Sequence, residues 1–207
     1  MSRVPLSVIV PVKNEAANLP RCLASVAWAD EVFVVDSQST DGSQAIAEQH
    51  GAKVVQFHFN GTWPKKKNWA LENLPFKHEW VFILDADEVI PDELQDEILA
   101  LIANDQPVRG AVLWNQVAFG RPLTARKSTA RFVRLFRTDT VLRFEAVVHE
   151  GAVLQPATLP VVALRHRLLH YSRESVYESI LKLAQYVQLG AAKRAAAGKT
   201  GGVLREQ

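Results

Sequence analysis

The chain has 207 residues, of which 24 are basic and 22 acidic, so its formal net charge is +2. With 48% hydrophobic and 22% charged residues it is neither disordered nor fibrous, and a single domain spanning residues 1–207 is expected. One cysteine, Cys22, excludes an internal disulfide framework and a cysteine-based zinc site; with no run of ~18 apolar residues and no signal-peptide pattern, a cytoplasmic protein is expected.

The first part of the chain alternates strand-like and helix-like segments. Four short apolar runs rich in β-branched residues predict buried strands, and they are Leu6–Val12, Val32–Asp36, Lys53–Phe57 and Trp80–Asp85. Helices are predicted between and after them, over about 16–28, from Gly42 to Gly51, from Pro64 to Leu74, and after Pro91. This βαβ alternation favours a mostly parallel, Rossmann-like sheet flanked by helices, which is an α/β fold.

After about residue 108 the pattern changes. Ala111–Phe119, Arg131–Arg137 and Val141–Val148 are typical of longer, partly polar strands without helices between them. They predict an added mixed or antiparallel part of the sheet. A C-terminal helix is expected over Glu174–Ala197, and residues 198–207 are expected to be a flexible tail.

The small net charge conceals an uneven distribution. Residues 1–108 hold 8 basic and 16 acidic residues, whereas residues 109–207 hold 16 basic and 6 acidic residues. An acidic first half suits carboxylates that serve a metal, and a basic second half suits an anionic partner. The alternative is a solvated face of arginines. With 8% aromatic residues and no regular basic stripe, a nucleic-acid partner is not expected.

Acidic residues follow three of the predicted strands, in PVKNE (11–15), DSQSTDG (36–42) and DADE (85–88). Ligands of open α/β sheets bind at these carboxyl ends, and neighbouring carboxylates repel one another unless a cation compensates. Asp85 and Asp87 are two residues apart, so their side chains point the same way in an extended backbone. This pattern predicts a Mg²⁺ or Mn²⁺ site, although a lone D-x-D is equally typical of a helix cap or a solvated turn.

Other phosphate chemistries lack their sequence signatures. No G-x-G-x-x-G follows the first strand and no G-x-x-x-x-G-K occurs, which argues against dinucleotide-dependent oxidoreductases and P-loop NTPases. The D-x-D of phosphoaspartate hydrolases follows the first strand, not the fourth. A sugar-phosphate nucleotidyltransferase, which lacks its Gly-rich Arg-containing loop here, and a non-catalytic nucleotide-sugar-binding module stay open as alternatives.

Four motifs in order, VIVPVKNEAANLPRCLASV, VVDSQSTDGS, KKKNWALE and WVFILDADE, resemble family 2 glycosyltransferases of the GT-A fold. The resemblance covers about residues 5–190. It is closest to the bacterial β-1,4-glucosyltransferase-like branch of lipopolysaccharide core synthesis, whose members also show a later VHE. It implies a metal-dependent inverting transferase that moves a hexose, glucose from UDP-glucose, to a lipopolysaccharide or other surface-glycan acceptor.

The resemblance also implies which residues bind the donor. Residues bordering the nucleotide, its base, the ribose and the diphosphate would be Pro11, Asn14, Glu15, Asp36, Ser37, Asp41, Lys67, Asn68, Asp85, Ala86 and Asp87. Asp41 is equally suited to cap the second helix. Lys65 and Lys66 are interpreted as the solvated start of a helix.

Catalytic and acceptor residues are expected in the second half. The resemblance makes Glu150 of VVHEG the general base, with His149 as the rival and an ion pair with an arginine as the structural alternative. His170 resembles a metal-ligating histidine and would join Asp85 and Asp87, although a lone histidine is often a surface residue. Arg134 and Arg137 would meet anionic substrate groups, or one of them would face solvent.

Members of this branch often continue into an apolar, membrane-associated C-terminal segment. This sequence ends at GGVLREQ, so tight membrane attachment is not expected, whereas peripheral contact of the basic second half with the cytoplasmic face of the inner membrane is.

Overall fold

A computed structural model describes residues 3–58, 66–106, 108–118, 120–122, 131–145, 151–154 and 158–173, and residues 177, 180, 181, 184, 187, 188 and 191. Predictions were made for His149, Glu150, Lys65 and the tail at 198–207, and these residues lie outside the described part of the chain. Within the described part, no helix is long and apolar enough to cross a bilayer.

The described strands and helices follow one another in the predicted alternation up to residue 103. The strands in this part are β1 (Val4–Val12), β2 (Ala29–Asp36), β3 (Lys53–Gln56), β4 (Trp80–Ile83) and β5 (Glu88–Val89). The helices are α1 (Leu19–Ala24), α2 (Ser43–Gln49), α3 (Lys66–Asn73) and α4 (Asp92–Ala103). Helix α1 is shorter than predicted, because its first turn contains Pro20 and a turn precedes β2.

The second part is mostly strand. It contains β6 (Arg109–Ala118), β7 (Arg121–Pro122), β8 (Phe132–Arg137), β9 (Val141–Glu145), β10 (Gly151–Leu154) and β11 (Val161–Arg173), with a 3₁₀ turn at Thr138–Thr140. The described residues between 177 and 191 are helical, in agreement with the predicted C-terminal helix. The 13-residue strand β11 is not anticipated by the sequence pattern.

The described strands of the main sheet have the order β3-β2-β1-β4-β8-β6-β11-β5, with β7 paired to β6. Strands β1 to β4 are parallel, β8 is antiparallel to both β4 and β6, and β6 runs parallel to β11. Strands β9 and β10 form a separate antiparallel pair. The predicted α/β fold with a mixed addition is therefore confirmed.

The two faces of the sheet carry separate cores. Along β1, Val8 and Val10 pack with α1 and α4 on one face, whereas Ile9 packs with α3 on the other. This follows from the alternation of side chains along a strand. Because both faces are covered, β1, β2 and β4 are buried, and their polar groups are concentrated where the strands end.

Candidate active site

The loop after β1 is tied to the loop after β2 at the carboxyl edge of the sheet. The backbone N–H of Asn14 donates to Ser39 Oγ (2.8 Å), and Asn14 Oδ1 accepts from the N–H of Thr40 (2.8 Å). Asn14 has φ +54°, a left-handed conformation that asparagine tolerates better than most residues. The turn therefore accounts for the asparagine at this place in PVKNE.

Asp41 and Glu15 belong to the same loop junction. Asp41 accepts from the N–H of Ala16 (2.9 Å), from the N–H of Ser43 (3.1 Å) and from Ser43 Oγ (2.6 Å). The hydrogen bonds from Ser43 lower the pKa of Asp41. Asp41 therefore satisfies the first N–H of α2, which is the capping alternative. Glu15 accepts from the amide of Asn18 (2.9 Å).

Asp36 lies at the end of β2 and is 1% exposed. Its carboxylate accepts from the N–H of Ser39 (3.0 Å) and from Gln56 Nε2 (2.9 Å), its register partner at the end of β3. Burial alone would raise the pKa of Asp36, but the hydrogen bonds from Ser39 and Gln56 outweigh it and lower the pKa. The structure thus holds Asp36 as a fixed acceptor at the sheet edge.

Lys66 joins this edge, contrary to its interpretation as a solvated residue. Its ammonium group donates to the carbonyl oxygen of Val12 (2.6 Å), and burial lowers its pKa to about 8. The signal in the sequence is weak, because Lys66 stands in a run of three lysines at the start of a predicted helix and nothing in that run marks one of them as buried. Ser37 begins the loop after β2, where its carbonyl accepts from Lys13 Nζ (2.7 Å), and Pro11 is half-buried near the end of β1.

The turn after β4 brings Asp85 between two cations. Asp85 Oδ2 is 2.8 Å from Arg134 Nη2, and Oδ1 is 3.0 Å from Lys67 Nζ. Burial alone would raise the pKa of Asp85, but the charges of Arg134 and Lys67 hold it well below the usual range. With 34% of its side chain exposed, Asp85 is ionised and reachable from solvent.

Glu88 is fully buried and closes the same turn. Its Oε2 accepts from the N–H of Asp85 (2.9 Å), its own N–H donates to the Asp85 carbonyl (2.9 Å), and its Oε1 is 3.0 Å from Arg134 Nη2. Burial, with the nearby charge of Asp85, raises the pKa of Glu88 in spite of Arg134. Ala86 is buried inside the turn, so it contributes backbone and shape rather than a side-chain contact.

Cys22 contacts this turn from α1. Its thiol lies 3.7 Å from the carbonyl oxygen of Asp85, and the residue is fully buried. Burial and the neighbouring carboxylates raise the pKa of Cys22, so it remains a protonated thiol that can donate to the carbonyl. The lone cysteine is therefore a structural support of the Asp85 backbone.

Asp87, in the turn before β5, contacts His170 on β11, the strand that pairs with β5. Asp87 Oδ2 is 3.1 Å from His170 Nε2, and β11 also binds the turn because the N–H of Tyr171 donates to the Asp87 carbonyl (2.7 Å). Burial alone would lower the pKa of His170, but the hydrogen bond and charge of Asp87 outweigh it and raise the pKa. The His170 ring stacks on Trp114 with centroids 5.2 Å apart, which fixes its orientation.

Three other predicted residues do not join this group as expected. Both polar atoms of the buried Asn68 amide bond the backbone of Phe144 (3.0 and 2.5 Å), so Asn68 clamps β9 to α3. Arg134 is buried and its charge is already paired, which corrects its assignment to anionic substrate groups. Arg137 lies beside Trp80 at the opposite edge of the sheet, where it pairs with Glu79 and Asp105.

The donor atoms of Asp87 and His170 suit Mn²⁺ or Mg²⁺, since a carboxylate and an imidazole lie close together and are partly exposed. Each oxygen of Asp85 already contacts a cation, so a metal ion there would have to displace Lys67 or Arg134, whereas a hydrogen-bond donor can still use a remaining lone pair. Among the described residues, no three His, Cys, Asp or Glu side chains converge on a metal position. The pair fits a divalent cation whose coordination is completed by water and substrate phosphates, as is usual for Mg²⁺.

This α/β fold with its edge site belongs to a chain whose class, a glycosyltransferase, and whose family are identified by comparisons with known proteins. The model of Glycosyl transferase family 2 matches residues 7–152. LpsC of Rhizobium meliloti (strain 1021), a lipopolysaccharide core biosynthesis glycosyltransferase, is 30% identical across 95% of this chain and 74% of its own length. The chain belongs to glycosyltransferase family 2, which confirms the resemblance in the sequence.

Other similar proteins match a smaller share of this chain or of their own length. An uncharacterized glycosyltransferase of Rickettsia felis is 45% identical over 100 residues, 48% of this chain and 34% of its own length, so the match spans about a third of that relative. The structure of S. aureus TarS 1–349 in complex with UDP-GlcNAc is 20% identical with a TM-score of 0.57, covering 85% of this chain and 61% of that one. This likeness shows the GT-A type of fold.

Proposed function

We propose that this family 2 enzyme is a metal-dependent inverting transferase that moves glucose from UDP-glucose to a saccharide of a lipopolysaccharide or related surface glycan. The observation that carries the proposal is that the partly exposed Asp85 and Asp87 lie at the same carboxyl edge of the sheet as Asp36. The names of LpsC and of the TarS complex with UDP-GlcNAc support a lipopolysaccharide-type acceptor and a UDP-sugar donor.

We infer a division of work along the chain. Residues 1–108 bind the nucleotide sugar and residues 109–197 bind the acceptor. In the first half, Asp36 and Ser37 accept hydrogen bonds from the uracil base, and Asp85 accepts from the ribose. Lys67, 3.0 Å from Asp85 and 14% exposed, is close enough to the surface to approach the diphosphate.

Asp87 and His170 are the residues that would hold Mg²⁺ or Mn²⁺. When bound, the cation neutralises charge on the departing nucleoside diphosphate. The chain's own contribution is to hold the carboxylate and the imidazole in place, through the Tyr171 N–H on the Asp87 carbonyl and through the stacking of Trp114 on His170.

Deprotonation of the acceptor hydroxyl is assigned to Glu150, with His149 as the alternative. Inversion needs a base on the side of the acceptor, and the resemblance supports Glu150. Glu150→Gln should keep the affinity for UDP and lower transfer about 100- to 10,000-fold, because only the base function is lost. Isothermal titration with UDP and single-turnover transfer measure the two effects. Equal transfer by both proteins would exclude Glu150, and His149→Gln then tests the rival.

The donor is tested by measuring UDP release from a panel of UDP-sugars with Mg²⁺, Mn²⁺ or a chelator. UDP-glucose should give the highest kcat/KM, and chelation should abolish turnover. Turnover that prefers UDP-GlcNAc would replace glucose as the transferred sugar. Full activity in the presence of the chelator would contradict the metal dependence, whatever the donor.

We place the reaction on the cytoplasmic face of the inner membrane, in peripheral contact through the second half. Its excess of basic over acidic residues and the exposed Tyr177, Ile180 and Val187 support contact with an anionic surface. Sedimentation with vesicles tests this. Binding should require anionic lipid and weaken as salt is added, and equal binding to neutral vesicles would contradict it.

A further inference from the structure

Arg134 is a buried charge from the second half of the chain that contacts the metal-side turn of the first half. It lies on β8, and the turn at residues 85–88 follows β4, its antiparallel neighbour. Its side chain is 6% exposed, compared with 34% for Asp85 and 1% for Glu88. A substrate group cannot reach this guanidinium without moving the carboxylates that cover it.

The contacts of Arg134 fix the turn from three directions. Its Nη2 lies 2.8 Å from Asp85 Oδ2 and 3.0 Å from Glu88 Oε1, and its Nη1 is 3.5 Å from the carbonyl of Ile83. Its guanidinium carbon is 5.9 Å from the centroid of the Trp114 ring. Because Glu88 also accepts from the Asp85 N–H, the arginine holds both the side chain of Asp85 and, through Glu88, its backbone.

Stability alone is a poor explanation for this arrangement. Removing an arginine and two carboxylates from water is costly, and apolar residues of similar volume often stabilise a core as well or better. The arrangement does leave one consequence that apolar residues would not give. One oxygen of Asp85 is held inward by Arg134, so the other is held toward Lys67 and the solvent.

We propose that Arg134 is a positioning residue for the donor, acting through Asp85, with Glu88 as its anchor. The proposal rests on the proposed function, in which Asp85 accepts a hydrogen bond from the nucleotide sugar. Strand β8 of the second half thereby sets the affinity of the first half for the donor.

The test compares the same substitution at two arginines of one strand. Arg134→Lys keeps the charge but loses the planar group that bridges two carboxylates, and Arg137→Lys makes the same change at the opposite sheet edge. Titration with UDP and steady-state kinetics with UDP-glucose are measured for both. Arg134→Lys should raise the UDP Kd and the KM for UDP-glucose about 10-fold or more, whereas Arg137→Lys should leave both unchanged.

Melting temperatures separate positioning from folding. A purely structural role predicts a lower melting temperature for Arg134→Lys with an unchanged UDP Kd for the folded protein, and that result would overturn the proposal. Glu88→Gln is the second variant: its amide oxygen still accepts from the Asp85 N–H, so the rise in Kd should have the same sign and be smaller. A loss of kcat with no change in Kd or KM would also overturn it.

The proposed function fails separately. If the wild-type protein binds no UDP, the donor assignment is wrong and the Kd comparison does not arise. If the wild type binds UDP and both lysine variants bind it as tightly as the wild type does, the donor assignment stands and the role of Arg134 is refuted.

Discussion

The two edges of the central sheet carry the same kinds of ion pair in different surroundings. At the carboxyl edge, Arg134 meets Asp85 with side-chain exposures of 6% and 34%. At the opposite edge, where the strands begin, Lys77 meets Asp30 with exposures of 64% and 25%. In the Arg134–Asp85 pair the cation is buried and the carboxylate faces outward, and in the Lys77–Asp30 pair the cation is the more exposed partner.

Under the proposed function, this difference separates a charge that binds the donor from a charge that supports the fold. Water does not screen the charge of a buried cation, so this cation keeps the outward carboxylate ionised and oriented. An exposed lysine is screened by solvent and contributes little beyond its hydrogen bond. Residue types alone do not distinguish these two ion pairs, and burial of the arginine does.

The largest expected effect comes from the carboxyl edge, at Asp87. Asp87→Asn keeps the size of the side chain but removes the charge that faces His170. Transfer from UDP-glucose should fall about 100- to 1,000-fold, with the melting temperature nearly unchanged. UDP release at saturating Mn²⁺ measures the loss. Activity within about twofold of wild type would remove Asp87 from the site.

The opposite edge should instead show its effect in stability, at Glu31. This buried carboxylate accepts from Ser7 Oγ (2.6 Å), from the Lys77 N–H (3.0 Å) and from Lys53 Nζ (2.7 Å). Glu31→Ala leaves the buried Ser7 hydroxyl and the partly buried Lys77 N–H without this acceptor, so the free energy of unfolding should fall by about 2–3 kcal/mol. Urea denaturation measures it, and the UDP Kd should not change. A weaker UDP affinity would show that the two edges are coupled.

The smallest expected effect is a pH dependence at Asp30. Hydrogen bonds from Lys77 and then His78 lower the pKa of Asp30 to about 2. Because the folded pKa lies below the unfolded value of ~3.9, the contribution to stability is complete above pH 4 and is lost as the pH falls toward 2. Urea denaturation of wild type and Asp30→Asn should differ at pH 5 and converge near pH 2. A constant difference would contradict the pair.

The alternation of strands and helices along residues 1–103 and the acidic residues at the strand ends could be predicted, because both depend on local patterns. Buried apolar runs and the turn residues after them place Asp36 and Asp85 at one edge without any tertiary information. The meeting of Asp87 with His170 is different, since 83 residues separate them and no spacing rule connects them. Only the resemblance to a family indicated that histidine.

Two failures of prediction have physical causes. The buried residues of β11, Leu164 and Leu168, are four apart with the exposed His166 between them, so the segment lacks the strict apolar alternation that predicts a strand. Its register with β6 also shifts between Ala163 and Arg167. Arg134 and Arg137 are three apart on β8, so alternation assigns them to opposite faces but does not say which one is buried. The buried Glu88 on β5 decides which arginine is buried, because it pairs with Arg134.

The short strand β5 has a consequence for the order of folding. It follows β4 after four residues, yet it pairs with β11, and β8, β6 and β11 lie between the two strands in the sheet. The contact of Glu88 with His170 therefore closes a loop of about 80 residues, a costly, non-local step. A nascent chain leaving the ribosome would complete β1 to β4 long before this pairing. The contact of Asp87 with His170 would therefore form only after about 170 residues have been made, late in synthesis.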